Sequence, residues 1–417
     1  MPQPTMPYPT LDAYPTMPYP TMPYPTMPYP TLDAYVPKAL ADELLPKLAQ
    51  AGERAEAIEA SGGGRPVDPG QALRGMASAL GSLGILDLVC RARDGGPHEE
   101  PASTALCLAR ERLAYASPLL DLAFAMQGLG SYPISAKGDD AQRAANMPGV
   151  RSGARVAGFA LTEPNAGTDL GGITTTARRE GDHYVIDGAK CFISNAGIAD
   201  VYTLFALTAP EAPERRLSAF ILPADVDGLS VKKQRVLGGH PIGELKLRGV
   251  RLHASALLGR EGDGMSAALG TLHRFRTTVG AAAVGLAQRA LDEAVTHVKA
   301  REQFGAPLAE LALVQARLAT MAVDVTSARL MVFEAARVMD AGGDRAAVSR
   351  SASMAKLYAT EAAQRVVDSA VQLLGGRGVL ADGVVGRLYQ EVRSLRIYEG
   401  TNDVHLTLVA RDLLSRG

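Results

Sequence analysis

Leu311, Val314, Leu318, Met321, Val325, Ala328, Val332 and Ala335 follow one another at steps of three and four, the spacing that places them on one face of an α-helix. A helix of that length with an apolar stripe and a polar back cannot bury the stripe alone, so it requires helical neighbours. Similar runs at 277–300, 345–372 and 402–415 supply them, and 265–417 reads as a C-terminal helical bundle.

Upstream the pattern changes. Between Arg151 and Gly264 short stretches alternate polar and apolar residues between turn signals: "HYVIDGAKCFIS" reads as two strands meeting at an Asp187–Gly188 turn, and "VYTLFAL", "LSAFILP", "LSVKKQRVLG" and "GELKLRGVRL" continue the series. A small antiparallel barrel or sandwich is expected for 151–264. Residues 36–150 return to helical spacing, as in "ALADELLPKLAQAGERAEAIEA", where Leu40, Leu44, Leu45 and Leu48 share a face. The chain is therefore mostly α with a central β-domain between an N-terminal helical domain and a C-terminal bundle. Residues 1–35 stand apart: "PTMPY" recurs and "PTLDAY" occurs twice, a proline density that predicts an extended, disordered tract. Its role is either that of a tether or docking segment or that of an expanded coding repeat.

The formal charge of −1 gives no overall electrostatic reason to expect nucleic acid or an anionic membrane as partner. Cys90, Cys107 and Cys191 form no CxxC pair, the histidines are scattered, and no metal site is expected. No apolar run approaches the roughly 18 residues of a membrane span. These features predict a soluble protein in a reducing compartment, the cytoplasm.

Taken singly, the glycine-rich stretches mark only turns. "GGRG" at Gly375–Gly378 follows a helical run and not a strand, which is the wrong context for a dinucleotide-binding turn, and "EPNAGTDLGG" lacks the ending of a phosphate loop. Their order is more informative. "LTEPNAGTDLGG" at 161–172, "CFISNAG" at 191–197, "REQFGAPL" at 301–308, "QLLGGRGVL" at 372–380 and "YEGTNDVH" at 398–405 resemble, in order and spacing, the signature segments of the acyl-CoA dehydrogenase family of flavoproteins.

That resemblance implies an N-terminal helical domain, a small central β-barrel or sandwich and a C-terminal four-helix bundle, and an FAD-dependent dehydrogenase acting on an acyl-CoA or acyl-carrier thioester, assembled as a homotetramer and passing electrons to an electron-transfer flavoprotein. By motif position Thr162, Thr168, Phe192 and Ser194 would face the flavin ring, with Thr168 also near the acyl carrier. Arg301 and Phe304 would reach the FAD of a neighbouring subunit, where a planar guanidinium suits pyrophosphate oxygens. Gln372, Gly375 and Gly376 would approach the adenosine end, and Thr401 the pyrophosphate. Arg276, Tyr398 and Gly400 would border the substrate. Glu399 matches the family's catalytic base, which removes the α-proton while a hydride leaves the β-carbon for flavin N5. Residue chemistry alone leaves other roles open: Glu399 as an acid before a helix, Phe192 as core, Arg301 as a helix-terminal cation. Some relatives carry the base where this chain has Phe275, and His273 stands where an acid often contacts the pantetheine arm, which leaves the identity of the thiol open. A same-fold oxidase or monooxygenase using oxygen, and a DNA-binding relative, are the alternatives; the glutamate argues against the first and the near-neutral charge against the second.

Overall fold

The computed structural model describes residues 35–61, 67–209 and 216–415. The repeat tract therefore lies outside the described residues apart from Tyr35.

Five helices come first: α1 (Lys38–Ala60), α2 (Pro69–Ser82), α3 (Ser103–Ala116), α4 (Pro118–Lys137) and α5 (Asp140–Arg151). Their starts are written locally. Asp68 and Ser117 cap α2 and α4, each followed by proline in the first turn, and Asp139 with Gln142 forms a reciprocal capping box on α5. Helix α4 is buried along most of its length and acts as the hub of this region. Gln127 on it donates to the carbonyls of Val150 and Arg155 and accepts from the Ala157 N–H, which fixes the helix to the first strand. At Gly130 a side chain would begin 2.7 Å from the Ala157 Cβ, so only glycine permits this approach.

Strands β1 (Ala157–Ala160), β2 (Thr176–Glu180), β3 (His183–Ser194), β4 (Val201–Ala209), β5 (Arg216–Pro223), β6 (Leu229–Gln234), β7 (Ile242–His253) and β8 (Leu257–Leu258) form one sheet in the order β6-β7-β3-β2-β4-β5-β8. It is mostly antiparallel. Strand β1 pairs with β4 in parallel, and β2 meets β4 in parallel further along, at Thr176 and Leu207.

The Asp187–Gly188 turn does not occur. "HYVIDGAKCFIS" is one strand, β3, and Asp187–Gly188 is a bulge where its register against β7 shifts. The Asp187 carboxylate accepts the Gly249 N–H from the opposite strand, and Gly188 holds φ +156 with Thr175 Oγ1 2.4 Å from where a Cβ would stand. The hairpin lies one turn earlier, at Gly181–Asp182 between β2 and β3.

The C-terminal half holds α6 (Gly264–Ala300), a short hairpin of β9 (Glu302–Gln303) and β10 (Ala306–Pro307), α7 (Ala312–Asp340), α8 (Arg345–Leu374), α9 (Val384–Leu395) and α10 (Asn402–Leu414). The stripe on α7 is buried at Met321, Val325, Ala328, Val332 and Ala335, whereas Leu311 and Leu313 at its start stay exposed. Helix, sheet, helix is thus the order in the structure as in the sequence. None of the described helices is long and apolar enough to cross a membrane.

Candidate active site

Four non-glycine residues among those described have left-handed backbone: Phe192 (φ +53), Asn195 (φ +62), Phe304 (φ +56) and Glu399 (φ +54). Such conformations cost about 1–3 kcal/mol each and persist where surroundings impose them. All four fall in the motif segments singled out above.

Phe192 is 61% exposed between buried Cys191 and Ile193, so its ring lies off the core as a free apolar surface. Beside it the Cys191 N–H donates to the Thr162 carbonyl at 3.0 Å, which joins the "LTEP" turn to β3. Lys190 makes the same join from within. Its buried Nζ donates to Glu163 Oε1 at 2.7 Å and to the Leu161 carbonyl at 3.1 Å. Glu163 also accepts from the N–H groups of Thr174 and Thr175. Burial alone would raise its carboxyl, but the Lys190 charge and these bonds outweigh it and hold the value down to about 2. Ser194, at the end of β3, shares a 2.8 Å hydrogen bond with His240 Nε2, and burial lowers this imidazole to about 4, so it is neutral. Asn195 then donates to the Ala157 carbonyl and, through its backbone, to that of Pro241. A planar ring fits here: Phe192 offers a face, Thr162 and Ser194 offer polar groups, and Thr168 sits exposed at the rim.

Glu399 occupies the turn between α9 and α10. Its Oε2 is closed from solvent with no hydrogen-bond donor, and burial raises its pKa against the lowering charges of Arg110, Arg276 and Lys356. The turn is held from several sides. Lys356 Nζ donates to the Gly400 carbonyl at 2.8 Å and to Asn402 Oδ1 at 2.9 Å; burial brings this lysine down to about 8 even though Glu399 opposes the shift. Asn402 and Arg396 both donate to Glu361. Thr401 caps α10 by accepting from the Val404 N–H, so the residue before the helix that does the capping is not Glu399. Buried His405 lies beneath Gly400, its Nε2 3.1 Å from where a side chain there would start. Arg276 is mostly buried, with Nε unpartnered, and faces Glu399 electrostatically.

Tyr398 lines a small cavity of about 40 Å³ between α3, α4, α6 and α9. Arg110 and Asp121 lie on its wall as a buried, two-point ion pair with distances of 2.8 and 2.6 Å.

Arg301 and Phe304 are elsewhere. They sit on the β9–β10 hairpin at the far end of α6, with Phe304 96% exposed. Gln372, Gly375 and Gly376 are exposed at the end of α8, and His297 feels both Arg301 and Arg377, which places the two segments side by side. The expected residues thus form three groups within one chain: the β3 ledge, the Glu399 turn, and a separate exposed corner. Sequence motifs did not reveal Lys190, Lys356, Arg110, Asp121 or His240, and gave His405 no role. The one available signal was a lone lysine inside apolar spacing, as in "ASMAKLYAT" and "GAKCFIS".

The family model described as the acyl-CoA dehydrogenase middle domain matches residues 158–250, and that described as the acyl-CoA dehydrogenase C-terminal domain matches 262–414. A probable acyl-CoA dehydrogenase of Mycobacterium tuberculosis is 36% identical over 315 residues, covering 75% of this chain and 80% of the relative. Butyryl-CoA dehydrogenase from Megasphaera elsdenii superposes with a TM-score of 0.81 at 32% identity, over 89% of this chain and 98% of that one. A glutaryl-CoA dehydrogenase from Mycobacterium smegmatis in complex with FADH2 gives 0.81 at 27% identity, over 93% and 99%.

Proposed function

The chain belongs to the acyl-CoA dehydrogenase family, FAD-dependent oxidoreductases that dehydrogenate acyl-CoA thioesters, and from that premise we propose that Glu399 is the base that removes the α-proton. The observation that carries this assignment is the buried, donor-free Oε2 of Glu399 on a left-handed turn. A carboxylate deprived of water is a stronger base than a solvated one, which is what an unactivated C–H bond adjacent to a thioester requires.

The surrounding residues support the same step. Arg276, Lys356 and Arg110 keep an ionised form accessible in spite of burial. The Glu399 N–H would serve the thioester carbonyl, where charge develops as the proton leaves. Lys356, by holding the Gly400 carbonyl, fixes the carboxylate's angle of approach. Tyr398 and Gly400 border the acyl group. Thr162, Thr168, Phe192 and Ser194 would hold the flavin ring of FAD, which when bound supplies the acceptor for the hydride leaving the β-carbon.

Arg301, Phe304, Gln372, Gly375, Gly376 and Thr401 would hold the rest of the cofactor, the exposed corner reaching a neighbouring subunit. Exposed Leu313 and Val323 on α7 and Leu406, Leu413 and Leu414 on α10 support burial against further copies, in a homotetramer. Half-buried His273 stands among Arg274, Arg276 and Arg345, a positive mouth suited to the phosphate-bearing arm of coenzyme A. An electron-transfer flavoprotein would reoxidise the enzyme.

The test is anaerobic titration of the flavin-loaded protein with a panel of acyl-CoA and acyl-carrier thioesters. Bleaching of the flavin absorbance with stoichiometric enoyl product is expected. Enoyl formation that is unaffected in Glu399→Gln would remove Glu399 from its role.

A further inference from the structure

The loop 235–241 joins β6 to β7 and sets its residues against their usual preference. Val236 and Leu237 face outward, at 39% and 62% exposure, while the polar His240 is carried inward and half-buried. Burial alone would have selected the reverse, so the histidine is held inside by what it bonds. Its Nε2 lies 2.8 Å from Ser194 Oγ. The contact is framed on two sides. The Asn195 N–H donates to the Pro241 carbonyl at 2.9 Å and Ser194 pairs with Ile242 across the β3–β7 ladder, while Glu391 on α9 accepts the Gly239 N–H at 2.7 Å. His240 also lines the small cavity beside Tyr398, which sets it between the β3 ledge and the turn that carries Glu399.

A serine hydroxyl has one proton to give and two lone pairs with which to accept, and left free it rotates to offer either. Bonded to an imidazole it offers one. The His240 ring is neutral, since burial lowers it to about 4, and it therefore carries a single N–H. With that proton on Nε2, the imidazole donates to Ser194 Oγ and the serine proton is left for a group above the ledge. With it on Nδ1, Ser194 spends its own proton on Nε2 and can only accept. An oxidised flavin ring presents acceptors, N5 and O4, along one edge, so only the first arrangement serves it.

We propose that His240 is a positioning residue for the flavin: it donates from Nε2 to Ser194 Oγ and so commits the serine proton to the acceptor edge of the ring. This role rests on Ser194 facing that ring, as proposed above. Glu391 keeps the loop in place by accepting the Gly239 N–H, which a carboxyl does whether or not it is ionised.

The experiment uses the full chain and has two readouts. In the flavin-loaded wild type, imidazole nitrogen chemical shifts, assigned by the signals missing from His240→Gln, should show the proton on Nε2. A proton on Nδ1 overturns the proposal on the wild-type protein alone. The Kd for FAD is then measured by fluorescence titration of flavin-free protein for Ser194→Ala, His240→Leu and the double variant, with folding checked by circular dichroism. Each single change should weaken FAD roughly tenfold, the loss of about one hydrogen bond. The double variant should bind no more weakly than Ser194→Ala alone, because His240 acts only through the hydroxyl. His240→Gln, whose amide N–H can replace the Nε2 donor, should recover most of the affinity. Losses that add in the double variant mean that His240 supports the fold and not the serine, and overturn its role. Wild-type affinity in His240→Leu alongside a weakened Ser194→Ala does the same and leaves Ser194 at the ring. Wild-type affinity in Ser194→Ala removes Ser194 from the ring, and the role of His240 falls with that reading.

Discussion

Lys190 and Glu163 illustrate how one buried pair can support a site without touching it. Their contact pins the 161–163 turn to β3, and the two segments between them carry Thr162, Phe192 and Ser194. Lys190→Met leaves the Glu163 carboxylate buried without its cation, so a loss of about 3–5 kcal/mol is expected in denaturant unfolding. Flavin retention should fall with it. The acid side follows from the depressed carboxyl: the stability Glu163 contributes is present above its ordinary 4.5 and is lost as pH falls from there through about 2. An acid titration of the melting temperature should therefore steepen over that window in the wild type and flatten in Glu163→Gln. At this scale, legibility depended on contiguity. That Glu399, Gly400 and Thr401 share one turn was readable because they are adjacent letters of one motif. Lys356 and Arg110 were not, because each acquires its role from residues that approach it only after several helices pack.

At the scale of elements, helices were read well from side-chain period, since α7 buries Met321, Val325, Ala328, Val332 and Ala335 of the stripe, its exposed member Leu311 lying just before the helix. Strand β3 was misread for a physical reason. Asp-Gly favours a tight turn locally, but the alternating residues on both sides of it find partners on β7, and the ladder absorbs the extra residue as a bulge. Gly188→Ala tests that account. A Cβ there would meet Thr175 and the positive φ would be strained, so a destabilisation of about 1–3 kcal/mol is expected. A neutral result in thermal unfolding would mean that the bulge tolerates a side chain. Flavin content is a second readout, because β3 ends at Ser194.

For the whole molecule, the layout of helices, sheet and bundle was legible because each third has its own period. What one chain's sequence left unread is what covers the exposed corner at Arg301 and Phe304, where the Phe304 ring is 96% exposed. Arg301→Ala is expected to lower the flavin-to-protein ratio and the assembled mass together, because a contact shared across subunits links cofactor binding to association. Light scattering combined with absorbance checks both, and wild-type values for the two would exclude the cross-subunit role. The central claim concerns Glu399, whose raised pKa also fixes a sign: the active carboxylate is lost as pH falls, with a midpoint above the ordinary 4.5. The direct measurement is the anaerobic rate of flavin bleaching by a good acyl-CoA substrate, followed across pH in the wild type and in Glu399→Gln. The account predicts an acidic limb in the wild type, and in the variant a bound, visible flavin that bleaches roughly 10²–10⁴-fold more slowly with no such limb. Bleaching of the Glu399→Gln flavin at the wild-type rate would contradict it.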